Sequence, residues 1–322
     1  MKLGLVILNY NDFNATEKLL NAIKNYDELD KICVVDNKST DDSYEKLLKF
    51  QSDKISVIQS PKNGGYSYGN NIGVKYLNET LQPDIIGISN PDVYFDNDFI
   101  KTLKQLFSKY PDYAIITGLQ VKPNGEIGVH PFWEEITTFK AFWAEIRNLF
   151  SPVLKIFTLG HYDKTRPYKN YLRDTVQAGE QKEIIQTWAV EGSLFFIRSE
   201  DFEQVGFFDD RIFLYGEEDI LATKLKRIGR KVGVCTKIKY THFHYYNTDY
   251  YTSLKPIQIW HRKTRLTRAK IFIFDNYTTE SKTLHILYNT LTWISLLEEI
   301  LVVQIPRKIK GMLRPNKQET II

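Results

Sequence analysis

Cysteine is nearly absent from this chain, with two in 322 residues. Cys33 and Cys235 lie far apart in apolar, strand-like runs, and neither has a second cysteine at metal-ligand or redox spacing. A disulfide framework is excluded, and two buried free thiols in a reducing cytoplasm are predicted. Glycine patterns are missing too. Gly64-Gly65 matches neither the three spaced glycines of a dinucleotide fold nor a phosphate loop, which disfavours a Rossmann oxidoreductase or an NTPase. After Met1-Lys2 the apolar run Leu3 to Leu8 meets Asn9-Tyr10-Asn11-Asp12 with no cleavage-site pattern, so no secretory leader is expected. The net charge of +4 is too small to argue for nucleic acid. No internal repeat or low-complexity segment is found.

What is present is ordinary for a soluble globular protein, with 43% hydrophobic and 25% charged residues. The length leads us to expect about two compact units. Aromatic residues reach 14%, which suits sugar-stacking clefts or membrane interfaces, although core packing accounts for most aromatics.

Short apolar runs alternate with helical spacings through the first hundred residues. Leu3 to Leu8, Ile32 to Val35, Ile55 to Ile58 and Ile85 to Ile88 read as buried strands. Thr16 to Tyr26 (capped by Asn14 or Thr16), Tyr44 to Phe50 and Gly69 to Leu77 read as helices between them. Strands alternating with helices predict a parallel α/β sheet whose first half binds a nucleotide. Further helices are expected over Phe99 to Phe107, Thr137 to Phe150 and Ile220 to Ile228, with strands over Ala114 to Val121, Gln186 to Ile197, Val232 to Cys235 and Ile238 to Tyr240.

The chain is organised around Ile85 to Asp92, a β-branched strand stopped by Ser89-Asn90-Pro91. Asp92 therefore sits past the carboxyl end of a central strand, where ligands bind in open α/β sheets. With Asn90 beside it, it can hold a divalent ion against a diphosphate. The competing reading is a turn in which Asp92 and Asn90 only cap the strand. Asp36, at the end of the second strand, can bond the imide N–H of a uracil or thymine ring. Alternatively Asp36, Ser39 and Asp41 cap the next helix. Glu191-Gly192 interrupts an apolar strand and suggests close approach by a ligand. Glu217-Glu218-Asp219 opens a helix, where the macrodipole gives acids a structural reason to be. His242 and His244 alternate on a strand, so both rings share a face.

The segment Phe132 to Arg173 is aromatic and basic, with Trp133, Phe139, Phe142, Trp143, Phe150 and Phe157, and reads as an insertion facing a substrate or a surface. Beyond about Tyr250 the chain reads as helical. Trp260 to Lys270 is basic, and Leu284 to Ile305 is nearly apolar except for Glu298 and Glu299. Those acids make a membrane crossing costly. With Arg307, Lys308, Lys310 and Arg314 behind it, an amphipathic helix lying on an anionic inner leaflet is the better physical reading, and a helix packed on the catalytic domain or a partner chain is the alternative.

The order of these motifs from Leu3 to about His244 resembles the inverting GT-A glycosyltransferases of family 2, in particular the bacterial rhamnosyltransferase-like branch. The motifs are Val6-Ile7-Leu8-Asn9-Tyr10-Asn11, Val34 to Asp41, Asn63-Gly64-Gly65-Tyr66 with Gly69 to Gly73, Asn90-Pro91-Asp92 in place of an Asp-X-Asp metal motif, Glu191-Gly192-Ser193, and Tyr215 to Asp219. The resemblance implies a GT-A, Rossmann-like, mostly parallel sheet flanked by helices in residues 1–250, with a nucleotide half (1–100), an acceptor half (101–250) containing the insertion 132–173, and a helical extension (251–322). It also implies transfer of a sugar from a nucleoside diphosphate donor with Mg²⁺ or Mn²⁺. Donor-binding residues would be Asn9, Asn11, Asp36, Asn37, Asn63, Gly65, Asn70, Asn90 and Asp92. Trp188, Glu191 and Gly192 would face the acceptor. Asp92 and His242 would hold the metal, and the catalytic acid motif would be Glu217, Glu218 and Asp219. Counting back from Gly229 without gaps puts Glu218 at the base position, and a one-residue slip would put Asp219 there.

The expected function is therefore a cytoplasmic, membrane-peripheral inverting glycosyltransferase on the inner face of the plasma membrane. L-Rhamnose from its dTDP donor is the first expectation, and a polysaccharide or lipid-linked glycan the acceptor. A UDP-hexose donor and a homodimer remain open. The rivals are a nucleotidyltransferase, disfavoured because Asn9 to Asn14 lacks a basic residue and a glycine, and a non-catalytic sugar- or partner-binding protein with a degenerate site, kept alive by Asn90.

Overall fold

The computed structural model describes residues 1–128, 130–135, 137–157, 166–243 and 256–298. The chain divides into two compact units: residues 1–135 with 167–244, and residues 136–166 with 245–322.

The first unit begins with β1 (Leu3–Asn9), α1 (Phe13–Ile23), β2 (Lys31–Asp36), α2 (Ser43–Leu47), β3 (Ile55–Gln59), α3 (Tyr66–Thr80) and β4 (Ile85–Ser89). The short β5 (Val93–Tyr94), α4 (Asn97–Lys109) and β6 (Tyr113–Val121) follow. Strands β3, β2, β1 and β4 lie side by side and parallel. The pleat sends Leu3, Leu5 and Ile7 to one hydrophobic core and Val6 to the other, so both faces are covered. Both cysteines are free and buried in these cores.

The chain runs from β1 outward to β3 and then returns to β4 on the other side of β1. The crevice between the carboxyl ends of β1 and β4 is thus the topological switch point, where open α/β sheets take their ligands.

The rest of the first unit contains β7 (Phe132–Trp133), the part of α6 (Arg166–Gln181) from residue 167, β8 (Ile185–Thr187), β9 (Ala189–Val190), β10 (Leu194–Arg198), α7 (Ser199–Gln204), α8 (Glu217–Arg227) and β11 (Lys231–His242). α5 (Thr138–Phe157), which falls between β7 and α6 in the chain, lies in the second unit. The run expected as one strand over Gln186 to Ile197 is three pieces. β8 pairs with β11, β9 pairs with β7, and β10 crosses antiparallel into the centre of the sheet between β4 and β6. Conversely, the two short strands expected before the histidines are one strand, β11, with a register shift between Cys235 and Lys239.

Helix α1 starts earlier than expected. Asp12 caps it by accepting the Ala15 N–H at 3.3 Å, while the Thr16 hydroxyl is buried and donates to Asn9 Oδ1 at 2.8 Å. A side chain expected as a cap is used instead to hold a strand-end amide.

The described residues of the second unit form three helices: α5 (Thr138–Phe157), α9 (Pro256–Tyr277) and α10 (Lys282–Glu298). The rings of Phe274 and Tyr288 stack with centroids 4.0 Å apart and lock α9 to α10. Glu145 of α5 is buried, takes the Lys270 ammonium at 2.5 Å, and its carbonyl accepts from Ser295. The aromatic segment is thus shared, since β7 belongs to the first unit and α5 to the second. No helix among the described residues is long and apolar enough to cross a membrane. His244, Glu299 and the basic residues Arg307, Lys308, Lys310 and Arg314 lie outside the described residues.

Candidate active site

The expected site residues fall into three groups, all in the first unit. The first gathers at the carboxyl ends of β1 to β3. Asp36 is fully buried, and each of its oxygens already accepts two hydrogen bonds. Asn9 Nδ2 (2.9 Å) and Ser39 Oγ (2.5 Å) donate to Oδ1, and the Ser39 N–H (3.0 Å) and Gln59 Nε2 (3.2 Å) donate to Oδ2. That fills the acceptor capacity of a carboxylate. Asn11 and Thr40 exchange hydrogen bonds above it. Asn37 Nδ2 donates to Asn63 Oδ1 and to the Gly65 carbonyl, both at 3.1 Å.

Gly65 has φ +92°, and a Cβ there would overlap the Phe213 carbonyl, so only glycine lets the loop before α8 close on α3. Asn70, fully buried in α3, donates back to the Tyr66 carbonyl and leaves Oδ1 without a partner.

The second group is built around Asp92. β5 pairs antiparallel with the end of β11, setting His242 opposite Val93, and the Phe243 N–H donates to the Asp92 carbonyl at 2.8 Å. This pairing brings Asp92 Oδ1 within 3.3 Å of His242 Nε2 across 150 positions of sequence. On its other side, His242 Nδ1 lies 2.8 Å from Gln120 Nε2 and 3.7 Å from Glu191. Gln120 also donates to Glu191. Burial opposes the charged ring of His242, but hydrogen bonds to Asp92 and Glu191 and their charges outweigh it and hold the pKa up at about 9. Asn90 stands at the strand end with its N–H bonded to the Ser193 carbonyl at 2.8 Å.

Asp92 and His242 can serve as two ligands of one cation once metal binding releases the imidazole proton, since only the neutral ring has a lone pair to give. Their 3.3 Å separation is close to the roughly 3 Å edge of an octahedron with 2.0–2.1 Å bonds. No third histidine, cysteine or carboxylate joins them in a metal-holding group among the described residues, so further ligands must come from a bound phosphate or water.

The third group is the acid motif at the start of α8, preceded by Tyr215 (φ +80°) and Gly216 (φ +86°) in the left-handed region. The three acids have three different environments. Glu217 is buried and leaves Oε1 without a partner. Glu218 Oε1 accepts the Gly192 N–H at 3.0 Å, and the Tyr66 hydroxyl donates to the Gly192 carbonyl at 2.6 Å. Asp219 Oδ1 accepts two indole N–H bonds, from Trp133 at 2.8 Å and Trp188 at 3.0 Å. Burial raises the pKa of all three above the ordinary carboxylate range. Glu217 raises Glu218 further, and the indoles partly offset the rise at Asp219.

Glycine at 192 is explained by the protein itself, because a Cβ there would come within 2.8 Å of Glu218 Oε1 and 2.9 Å of the Tyr66 hydroxyl oxygen. Glu191 and Gly192 are consecutive, so one segment joins the Asp92–His242 group to the Glu218 group.

Gln120 was not singled out from the sequence, Tyr66 was quoted only as the end of the Asn63-Gly64-Gly65-Tyr66 motif, and Trp133 was read only as an aromatic of the insertion. Gln120 carried a usable signal, a lone amide inside the apolar strand Tyr113–Val121. The partners of Tyr66 and Trp133 carried none, because they lie 126 and 86 positions away.

A GT-A sheet with acids gathered past its carboxyl edge defines the class. Residues 5–162 match the family model described as Glycosyl transferase family 2, and this part of the chain is a domain of that family. It is 24% identical over 318 residues to the low-salt glycan biosynthesis hexosyltransferase Agl10 of Haloferax volcanii, covering 99% of this chain and 92% of that protein. It is 26% identical over 291 residues to the rhamnosyltransferase WbbL of Escherichia coli, covering 87% of this chain and 98% of that protein. Among solved structures it resembles the mannosyltransferase PcManGT of Pyrobaculum calidifontis in complex with GDP-Man and Mn²⁺. There the TM-score is 0.54 at 14% identity, over 97% of this chain and 73% of that one. It also resembles S. aureus TarS 1-349 in complex with UDP-GlcNAc, with TM-score 0.52 at 13% identity, over 97% and 89% of the two chains. The protein is a glycosyltransferase of GT-A fold.

Proposed function

We propose that this enzyme is an inverting glycosyltransferase that moves L-rhamnose from its dTDP donor to a hydroxyl of a growing cell-surface polysaccharide or lipid-linked glycan, at the inner face of the plasma membrane. The observation that carries this reading is the placement of two chemistries on neighbouring residues. Glu191 touches the Asp92–His242 pair, and Gly192 touches Glu218. Inversion needs a leaving group stabilised on one side of the anomeric carbon and a base for the acceptor hydroxyl on the other.

Glu218 is the base. Its raised pKa brings its basicity toward the working pH, where proton transfer is most effective. Its Oε1 is oriented by the Gly192 N–H. Glu217 lies inside the fold and keeps Glu218 basic by charge. Asp219 is turned toward two indoles and anchors the first turn of α8 to Trp133 of β7 and to Trp188 between β8 and β9. Asp92 and His242 would hold Mg²⁺ or Mn²⁺, whose chemistry is to neutralise charge on the leaving diphosphate.

Asn9, Asn11, Asn37, Asn63, Gly65, Asn70 and Asn90 shape the donor crevice. Asp36 can read a base only when a present partner yields, and half-buried Gln59 is the one at the strand edge. Trp188, Glu191 and Gly192 line the acceptor side.

The test is a thermal-shift panel of dTDP, UDP, GDP and their sugars, each with and without Mg²⁺ or Mn²⁺. A ligand that binds only the folded state raises the melting temperature. Metal-dependent stabilisation by dTDP compounds, lost in Asp92→Ala, is expected. A shift with UDP compounds alone would move the donor to a UDP-hexose. No shift with any nucleotide would favour a non-catalytic binding protein.

A further inference from the structure

Between β9 and β10 the chain changes sheets through Glu191, Gly192 and Ser193. β9 pairs with β7 in a two-stranded sheet and β10 lies in the main sheet, so this joint is what sets Gly192 against Glu218. Glycine has no side chain to fix its peptide planes, and the direction of its N–H depends on what holds the backbone around it. The Glu191 N–H donates to the Pro131 carbonyl at 3.2 Å, and the Ser193 carbonyl accepts the Asn90 N–H at 2.8 Å. At Gly192 itself the carbonyl takes the Tyr66 hydroxyl at 2.6 Å, while the N–H donates to Glu218 Oε1 at 3.0 Å.

Tyr66 is itself held from several sides. It opens α3 directly after the left-handed Gly65. Its N–H donates to the Phe213 carbonyl at 3.1 Å, and its carbonyl accepts from Asn70 Nδ2 at 3.0 Å. Its ring meets that of Phe208 edge-on, with centroids 5.6 Å apart. Phe208 and Phe213 both lie in the loop between α7 and α8. Tyr66 thus ties the segment Asn63 to Asn70 to the loop before the acid motif and to the joint at Gly192. A Cβ on Gly192 would touch both the Tyr66 hydroxyl oxygen and Glu218 Oε1, so the two oxygens flank one face of that glycine. Burial first, and then the charge of Glu218, push the pKa of the phenol well above its ordinary value, so the hydroxyl stays a donor. A phenylalanine would make the same contact with Phe208. The hydroxyl therefore needs a reason of its own.

We propose that Tyr66 is a positioning residue for sugar transfer: its hydroxyl fixes the Gly192 backbone, and the Gly192 N–H aims Glu218 at the acceptor hydroxyl. The proposal rests on Glu218 being the base. It links the crevice assigned to the donor with the group that activates the acceptor, and it asks Tyr66 to touch neither substrate. Without the hydroxyl, the Gly192 peptide groups can turn and carry the carboxylate with them. A misplacement of about 1 Å at a reacting group can cost on the order of 10²-fold in rate.

The experiment compares Tyr66→Phe, Glu218→Gln and the double variant in the full chain. Turnover is read as nucleoside diphosphate released from dTDP-rhamnose or UDP-glucose, to water and to a panel of alkyl glycosides. Tyr66→Phe should lower kcat by roughly 10–100-fold with donor KM unchanged. The melting-temperature shift given by dTDP or UDP with Mn²⁺ should also be unchanged, which establishes a folded donor site. In the Glu218→Gln background the same substitution should cause no further loss, because residues that act as a unit are not additive. Phe208→Leu loosens the ring's packing but keeps the hydroxyl, so it should lower the melting temperature without the loss in kcat. A crystal structure of Tyr66→Phe should show the Gly192 N–H turned away from Glu218. The positioning role is overturned if Tyr66→Phe keeps wild-type kcat while Glu218→Gln is inactive. Equal losses in both backgrounds, a matching loss in Phe208→Leu, or an intact Gly192–Glu218 bond in that crystal structure would overturn it as well. Glu218→Gln at the wild-type rate would remove the base reading itself, and the role of Tyr66 with it.

Discussion

The two units use tryptophan in opposite ways. In the first, Trp133 and Trp188 direct both indole N–H groups onto one oxygen of Asp219, beside the proposed base. In the second, Trp143, Trp260 and Trp293 are all exposed. An indole is a large apolar body with one polar edge, so it can close a buried polar contact or stand at a wet apolar boundary. The surrounding chain decides which. Around the first pair, the strands β7 and β9 and the start of α8 bring in a buried carboxylate that needs donors. Around the other three, helices α5, α9 and α10 turn apolar side chains outward.

The contrast is sharpest at the acids, and the largest expected effect is there. Glu218→Gln keeps size and can keep the Gly192 contact, so it should fold while losing roughly 10²–10⁴-fold in turnover, measured as sugar transfer at saturating donor. Next is the Asp92–His242 pair. Asp92→Asn should reduce nucleotide stabilisation by Mn²⁺, and should also lower the metal-free melting temperature by weakening the hold on the charged His242 ring, as thermal shift would show.

Asp219 separates a base from an anchor. Asp219→Asn retains an oxygen for both indoles and should keep most activity and stability, whereas Asp219→Ala leaves two part-buried N–H groups without an acceptor, at about 1–3 kcal/mol in all. Chemical denaturation and turnover of the two variants read this directly, and an inactive but stable Asp219→Asn would transfer the base role to it. Gly192→Ala should cost about 1–3 kcal/mol by forcing a Cβ against Glu218 and Tyr66.

The smallest effect is in pH. Glu217 and Glu218 hold their protons more tightly folded than unfolded. Above pH 4.5 the unfolded chain therefore releases protons that the folded chain keeps, and these groups make stability fall as pH rises through their raised folded values. His242 acts in the same direction between pH 6.5 and about 9. Melting temperature against pH should fall across this range, and Glu218→Gln should flatten the slope.

Much of the first unit was legible because burial on both faces of a parallel sheet produces unbroken apolar runs such as Ile32 to Val35. The strand ends were legible because polar residues follow those runs at once, as at Asp36 and Asp92. The segment Gln186 to Ile197 was not. Its apolar pattern is shared among three strands with different partners, and apolarity does not say which partner a strand has. The glycine at 192 was read as a close approach by a ligand, and the protein's own Glu218 and Tyr66 already approach that backbone closely.

The sequence by itself determined the α/β alternation, the position of each acid at an element boundary and the order of motifs that leads to family 2. These follow from local rules: side-chain periodicity, turn residues and helix starts. Only the tertiary structure decided that Asp92 meets His242, that Asp219 faces two tryptophans while Glu218 faces a backbone N–H, and that α10 turns its apolar side outward. Each of those facts depends on the pairing of segments up to 150 positions apart. Such pairing is chosen by packing and hydrogen-bond satisfaction over the whole domain, and no stretch of sequence carries it alone.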